Sequence, residues 1–229
     1  MDAVNALHLI WSGDANLFAI VGLSLLVTLS ATALAALIGM PLGALIALAR
    51  FPGRSGVIVL LNGSMGLPPV VVGLVVFLLL SRSGPLGSLG ILFTPQAMIV
   101  AQTVLIAPIV AALTRQMIED LWTEYRDELT AMNVSRASQV TTLLWDARFS
   151  LTTILLAGFG RAAAEVGAVM IVGGNIDGFT RVMTTTIALE TSKGNLPLAV
   201  GLGLVLICVI VAINALAWTV RGWSERHAG

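Results

Sequence analysis

Long blocks of apolar residues, separated by shorter polar stretches, fill most of the chain. Five blocks stand out, at residues 17–49, 57–81, about 96–113, 149–174 and 197–220. A helix needs about 20 apolar residues to cross a hydrocarbon core about 30 Å thick, and each block comes close to that length or exceeds it. Because the apolar residues come in blocks and do not alternate with polar ones, the pattern predicts helices and not strands. We therefore predict an all-α, polytopic transmembrane bundle of about five spans.

Composition agrees with this pattern. Hydrophobic types make up 57% and charged types 10% of the 229 residues, whereas soluble domains contain about 45–50% and about 25%. The net charge is zero, so no nucleic-acid partner is predicted. The single cysteine, Cys208, is expected to pack as a small hydrophobe within the last apolar block. The first sixteen residues contain no Lys or Arg, so we expect no cleaved signal peptide.

Basic residues give the predicted spans an orientation. If there are five spans and the amino end is outside, one side collects most of the cationic side chains: Arg50, Arg54, Arg115, Arg126, Arg136, Arg148, Arg221 and Arg226. Arg82, Arg181 and Lys193 fall on the other side. Because cytoplasmic loops carry the excess of Lys and Arg, we predict a multi-pass inner-membrane protein with a cytoplasmic carboxyl end. It would have a periplasmic segment at 1–16, a transmembrane domain at 17–220 and a cytoplasmic tail at 221–229.

The polar stretch at residues 114–148 is too long for a simple connection. Residues 125–132 are typical of a short helix, and Asn133 suits a left-handed turn after it. Ser135 can cap a second helix, and Asp146 can cap the membrane helix that follows. The stretch therefore predicts a helix–turn–helix on the cytoplasmic side. It could be an amphipathic hairpin lying on the membrane surface or a docking surface for a cytoplasmic partner.

This stretch resembles the EAA loop of binding-protein-dependent ABC importer permeases. That motif reads Glu-Ala-Ala, three residues, Gly, nine residues, Ile, one residue, Leu-Pro. The Glu, Gly, Ile, Leu and Pro places are taken here by Asp127, Asn133, Leu143, Trp145 and Asp146, while Glu128 and Leu129 replace the alanines. In that family the loop sits in a groove of the ATPase subunit. The resemblance thus implies a coupling role for Asp127, Glu128, Asn133, Ser135, Arg136, Trp145 and Asp146.

Two further stretches resemble the tungstate-importing permeases, a group related to the molybdate and sulfate permeases. They are "GLPPVVVGLVVFLLLSRSGPLG" at 66–87 and "AGFGRAAAEVGAVMIVGGNIDGFTRVMTTTIALETSKGN" at 157–195. The resemblance implies the type I ABC importer permease fold and transport of an oxyanion, tungstate foremost, with molybdate or sulfate as alternatives. It also implies three partners: an ATP-binding subunit, a periplasmic substrate-binding protein and a second copy of the chain.

The chain has no phosphate-binding loop of its own. Such a loop needs the pattern Gly-x4-Gly-Lys-Ser/Thr, and the only lysine, Lys193, has no such frame around it. We therefore predict a transport subunit that is not an enzyme and binds no cofactor or metal, with ATP bound by a separate subunit. Two alternatives remain open: a stand-alone ion-coupled transporter that uses Glu165, and a non-transporting membrane assembly subunit.

Arg161 and Glu165 place two full charges in one of the most apolar blocks. Four residues apart on a helix, their side chains share a face, and a lone charge at mid-bilayer costs at least about 2.5–3.5 kcal/mol. Three roles are open: a buried pair that fixes helix packing, a gate or pore element, and a proton relay. Because Arg before Glu is the weaker order for such a pair, we expect an additional partner, on the second or third span.

Neutral donors are expected to line an oxyanion path. The candidates are Thr28, Ser30, Thr32, Asn62 and Ser64, although each could instead bond to its own helix. Pro68 and Pro69 should break the second span, and irregular backbone at membrane depth is tolerated where it is packed or lines a cavity.

Small and polar residues mark two more features. The glycines at 39, 43 and 167–174 predict close helix packing. A cluster just past the last of these is expected to form a short helix near the pore mouth or the binding protein's landing surface, or else a solvated loop: Arg181, Thr184, Thr185, Thr186, Glu190 and Lys193.

Overall fold

The computed structural model describes residues 15–227 and the side chains of residues 16–220. Almost all of the predicted periplasmic segment, and the side chains of the predicted tail, lie outside this range. Within it, the regular secondary structure consists of nine α-helices and one 3₁₀ turn at Gly87–Leu89. The helices are α1 Ala15–Leu48, α2 Arg54–Ser64, α3 Pro69–Leu80, α4 Pro95–Ala131, α5 Arg136–Asp146, α6 Arg148–Ala163, α7 Gly167–Gly173, α8 Met183–Ser192 and α9 Leu196–His227.

Three of these helices, α1, α4 and α9, are long and apolar enough to cross a membrane. Two bent pairs, α2 with α3 and α5 with α6, raise the number to as many as five if each pair forms one span. The chain is therefore a multi-pass, all-α membrane protein, as its apolar blocks predict. The second bent pair includes α5, which the sequence pattern assigns to the polar loop.

The third span extends well beyond the predicted end. Helix α4 continues without interruption to Ala131, so the short helix predicted at 125–132 is the last part of a 37-residue helix. Residues 114–131 contain no Gly or Pro, and the Arg115–Glu119 ion pair lies along the same helix at 2.5 Å. Polarity ends the apolar block here but not the helix, since charged residues at i and i+4 support a helix.

The predicted break before α3 is confirmed. Helix α2 ends at Ser64 and Pro69 is the first residue of α3, because proline suits the first turn of a helix, where an N–H group would have no partner. The fourth predicted span, in contrast, is not one helix. It is interrupted between Ala163 and Gly167, and Arg161 lies in the last helical turn before the interruption.

The chain divides into two compact units. The first contains the described residues up to Ser30, then Pro68–Gln102 and everything from Gly160 onward. Within it, α3 packs against α7 at a place where only glycine fits. A Cβ atom added at Gly73 would lie 2.7 Å from the Cα atom of Ala168.

The second unit contains Ala31–Leu67 and Thr103–Phe159. Here α1 packs against α4 through Gly39 and Gly43, and a Cβ atom at Gly39 would lie 2.9 Å from the carbonyl oxygen of Ala107. The close packing predicted for these glycines is confirmed. In the first unit, Cys208 departs from its prediction: it lies exposed on α9, where the apolar helix faces outward.

Candidate functional site

The turn between α4 and α5 is built by local signals. Asn133 adopts φ 50°, the left-handed conformation predicted for it. The Asn133 N–H donates to the Thr130 carbonyl at 3.0 Å, and the Val134 N–H donates to the Leu129 carbonyl at 3.3 Å. These two bonds form a Schellman motif, which satisfies carbonyl groups at the end of α4.

Ser135 caps α5, as predicted. Its hydroxyl oxygen accepts a hydrogen bond from the Ser138 N–H at 3.3 Å. The cap predicted for Asp146 is wrong. Asp146 is the last residue of α5, and Ala147 occupies the position before α6, with its carbonyl accepting from the Leu151 N–H at 2.8 Å. Only one residue separates the two helices, which leaves Asp146 inside the preceding one.

A groove with a cavity of about 250 Å³ lies between the end of α4 and α5. Its floor includes Leu143, which is buried, and its rim carries two large apolar side chains that are mostly exposed, Met132 at 73% and Trp145 at 71%. Asp127 and Arg136 are also exposed. The side chains of these two form no hydrogen bond or ion pair with residues that the structure describes. The groove thus presents apolar groups that the described chain does not cover, and Asp127 and Arg136, which lie outside its lining, add unpaired charges to the same two helices.

Arg148 is part of this surface, although sequence reasoning assigned it no role beyond orientation. Its guanidinium lies 5.0 Å from the ring centroid of Trp145 and 4.5 Å from that of Phe149, and it donates to the Trp145 carbonyl at 2.8 Å. The stretch "WDARF" carries the signal, because Arg stacks on aromatic rings. Arg148 fixes Trp145 in its exposed position.

The Arg161–Glu165 pair forms directly, with 3.1 Å between Nη1 of Arg161 and Oε2 of Glu165. Glu165 lies beyond the end of α6 and is buried, with 3% of its side chain exposed. Its other oxygen accepts the Ala168 N–H at 3.0 Å. The carboxylate therefore neutralises Arg161 and also caps α7, whose positive end favours a negative charge.

The additional partner predicted for the pair is therefore the backbone of α7 and not a side chain of another span. The two neighbouring helices instead hold the carbonyl groups at the break. Thr184 of α8 donates its hydroxyl to the Glu165 carbonyl at 2.8 Å, and Gln102 of α4 donates its amide to the Ala162 carbonyl at 3.1 Å. Sequence reasoning missed Gln102. The only signal for it was the presence of a polar amide side chain inside the apolar block 96–113.

The residues predicted to line a substrate path have different surroundings. Thr28 and Thr32 are buried and each takes part in an interaction. Ser30 is half-buried and Asn62 is exposed. Ser64 donates to the Leu60 carbonyl of its own helix at 2.7 Å, which fits the alternative given for it. A role of these residues in transport stays a prediction.

Four residues of the cluster after the glycine-rich turn lie in a short helix, α8, as predicted, whereas Arg181 precedes this helix and Lys193 follows it. Its polar residues Thr184, Thr185, Thr186 and Glu190 are buried in the first unit. Glu190 accepts hydrogen bonds from Lys193 at 2.9 Å and from Asn195 at 2.8 Å. These bonds, together with the positive charges of Lys193 and Arg181, lower the pKa of the Glu190 carboxyl group.

Two known proteins are similar to this chain over almost its whole length. The probable anion ABC transporter permease protein of Haloferax volcanii is 41% identical over 95% of this chain and 97% of its own length. The tungstate uptake system permease protein TupB of Peptoclostridium acidaminophilum is 38% identical over 94% of this chain and 95% of its own. The chain belongs to the ABC transporter permease family.

Within this family, the relatives named for sulfate are more distant from the permease. The sulfate transport system permease protein CysW of Escherichia coli is 27% identical over 93% of the permease and 77% of its own length. No family model matches the permease. The helix–turn–helix at the end of α4 falls within the matched span of all three relatives, since each match covers more than nine-tenths of the permease.

Proposed function

We propose that this permease is the membrane subunit of an importer that carries tungstate across the inner membrane. The observation that carries the proposal is the identity of 38% to a tungstate uptake permease over almost the full length of both chains. A second tungstate uptake permease, from Campylobacter jejuni, is 40% identical over 68% of this chain. The sulfate permeases share only 26–29%.

The proposed importer draws its energy from a separate ATP-binding subunit. The exposed groove between α4 and α5 supports this, because Met132 and Trp145 offer apolar surface that a soluble partner can cover. Its Schellman turn and serine cap make the surface rigid, as a socket that transmits movement must be. ATP would bind the partner and not this chain.

Two copies of the permease would form the transport pathway around a shared axis, the closed arrangement commonest in oligomers. A substrate-binding protein would deliver tungstate from the periplasmic side. The permease would have its amino end on that side and its carboxyl end in the cytoplasm. Movement of the ATP-binding subunits would then reach the spans through α5 and the end of α4, and expose the pathway to each side in turn.

The test is metal uptake in cells that lack the gene. Elemental mass spectrometry would measure tungsten, molybdenum and sulfur after growth with tungstate, molybdate and sulfate at equal concentrations. We expect tungsten alone to fall and to return when the gene is restored. A fall in molybdenum or sulfur would assign another oxyanion. Uptake that survives ATP depletion but not a protonophore would indicate an ion-coupled transporter instead.

A further inference from the structure

A second polar cavity lies where α1 ends and α2 begins, apart from the groove and the helix break described above. Its volume is about 400 Å³, and its lining includes Ala47, Arg50, Arg54, Glu119, Trp122 and Thr123. All of these residues belong to the second compact unit. Neither the family resemblance nor the proposed coupling surface assigns this cavity a role.

One side of the cavity is a preformed cluster of charges. Arg54 donates Nε to the Ile46 carbonyl at 3.0 Å and Nη2 to the Ala47 carbonyl at 3.2 Å, so it holds the end of α1. It also forms an ion pair with Glu119, whose other oxygen pairs with Arg115 at 2.5 Å. The Glu119 carboxylate therefore pairs with two guanidinium groups and holds both of them in place.

Arg50 adds a third positive charge and is the one the cluster does not use. It lines the cavity and is exposed. Its side chain has no hydrogen bond or ion pair with the part of the chain that the structure describes. The nearest further acids along α4, Asp120 and Glu124, are not among the lining residues. The lining thus carries two arginines, Arg50 and Arg54, against one carboxylate, Glu119. Arg115 lies outside the lining and also pairs with that carboxylate, so the ligand that fits the cavity is an anion.

The surroundings show that this anion should carry an apolar tail. The cavity sits at the end of α1, a candidate membrane span whose apolar run ends at Leu48. Leu45, Phe51 and Val57 flank it in the chain and expose 55%, 39% and 37% of their side chains. Trp122 lines the cavity itself, and tryptophan is enriched where a membrane meets water. Basic pockets between membrane helices bind the headgroups of anionic lipids.

We propose that this cavity binds the phosphate group of an anionic phospholipid. Arg50 binds the phosphate group. Arg54, which Glu119 and the carbonyl groups at the end of α1 hold in place, lines the cavity beside it. The acyl chains lie over the exposed apolar side chains beside it. Inorganic phosphate carries the same anionic group, but it has no acyl chain that could pack on the exposed apolar side chains. The proposal is independent of which oxyanion the permease transports.

Native mass spectrometry of the full-length permease tests the proposal. Protein in a neutral detergent would be titrated with phosphatidylglycerol and, separately, with phosphatidylcholine. Arg50→Gln removes the recruiting charge at an exposed position, so folding should be unaffected. We expect phosphatidylglycerol to bind about fivefold more weakly to this variant, the factor for losing one basic residue near an anionic headgroup. Arg50→Glu should lose the bound lipid altogether.

The matched control is Arg126→Gln, which removes an exposed arginine from α4 outside the cavity. It should bind phosphatidylglycerol as the unmodified permease does, and phosphatidylcholine should bind weakly to all variants. Equal binding by Arg50→Gln and the unmodified permease would overturn the proposal. So would an equal loss in the Arg126→Gln control, which would indicate general surface charge. Inorganic phosphate that binds the unmodified permease as tightly as phosphatidylglycerol does, and more weakly to Arg50→Gln, would assign a free-phosphate site and overturn the lipid assignment.

Discussion

The helix break at residues 164–166 and the helix turn at residues 132–135 interrupt the chain in opposite ways. At the break, the charged and polar groups find partners inside the protein: both carboxylate oxygens of Glu165 are bonded, and Thr184 holds its carbonyl. At the turn, the backbone is satisfied but the side chains around it point outward, with Met132 and Trp145 mostly exposed.

The difference separates a feature of the permease's own fold from a surface that the described chain leaves uncovered. A buried charge costs free energy unless it is paired and hydrogen-bonded, and both carboxylate oxygens of Glu165 have partners within the chain, so the structure of the break is determined internally. A rigid turn that displays apolar side chains gains nothing from them in the isolated chain. Changes at the break should therefore alter stability first, and changes at the turn should alter partner binding first.

The largest effect on stability is expected from Glu165→Ala. It leaves Arg161 without its carboxylate and the Ala168 N–H without an acceptor. The Arg161 side chain is 37% exposed and can be solvated, so the loss of the pair and of the N–H acceptor together should cost about 2–3 kcal/mol. Thermal unfolding of detergent-solubilised permease, followed by size-exclusion chromatography, should show a clear fall in the midpoint. An unchanged midpoint would mean that the pair does not hold the break.

Glu165→Gln is the conservative control for this change. Its amide oxygen can still accept the Ala168 N–H, so the loss of stability should be smaller. The same variant tests the proton-relay alternative, because an amide cannot carry a proton at this position. Full transport with an unchanged pH dependence would eliminate the relay, whereas lost transport in a stable protein would support it.

A smaller loss is expected from Thr184→Val. The two side chains have nearly the same shape, so the variant removes the hydroxyl that donates to the Glu165 carbonyl and little else. A buried carbonyl left without a partner costs about 1–3 kcal/mol. Thr184→Ser keeps the donor and should recover most of the stability in the same unfolding assay. An unchanged midpoint in Thr184→Val would show that this hydrogen bond does not stabilise the break.

The break also shows where sequence reasoning fails. Residues 162–164 are three alanines, the best helix formers, so the local sequence favours a continuous helix. The interruption depends on contacts from distant parts of the chain: Gln102 lies 60 residues before Ala162, and Thr184 lies 19 residues after Glu165. No local pattern carries that information. The pairing of Arg161 with Glu165 was predictable because the two residues are close in sequence.

The turn, in contrast, was predictable almost completely. Asn133 and Ser135 are residues whose own chemistry favours a left-handed turn and a helix cap, and the structure contains both. The error lay beside the turn, where a polar stretch was taken for the end of a helix although α4 continues to Ala131. Apolar blocks predict where a helix can lie in a membrane, but they do not predict where the helix ends.

Asn133→Val should have a local effect of intermediate size. Asn133 has φ 50°, a conformation that is strained for a β-branched side chain by about 1–2 kcal/mol. Hydrogen–deuterium exchange of the backbone should rise around residues 131–138 and stay unchanged near Glu165. Asn133→Gly permits the same turn and should exchange as the unmodified permease does. Equal exchange in both variants would show that the turn does not depend on this residue.

Trp145→Ala should have the smallest effect on stability and the largest on binding. The side chain is 71% exposed and contacts Arg148 at the surface, so its loss should change the free energy of unfolding by about 0.5 kcal/mol or less. An exposed aromatic side chain is nevertheless the kind of residue that dominates the free energy of an interface. In a pull-down with a tagged permease, the proposed ATP-binding subunit should be lost from this variant.

The matched control is Trp218→Ala, which removes a 76% exposed tryptophan from the candidate span α9 and should retain the subunit. If Trp145→Ala also retains it, the exposed groove is not the socket, and the contrast between a self-contained break and an outward-facing turn loses its functional meaning.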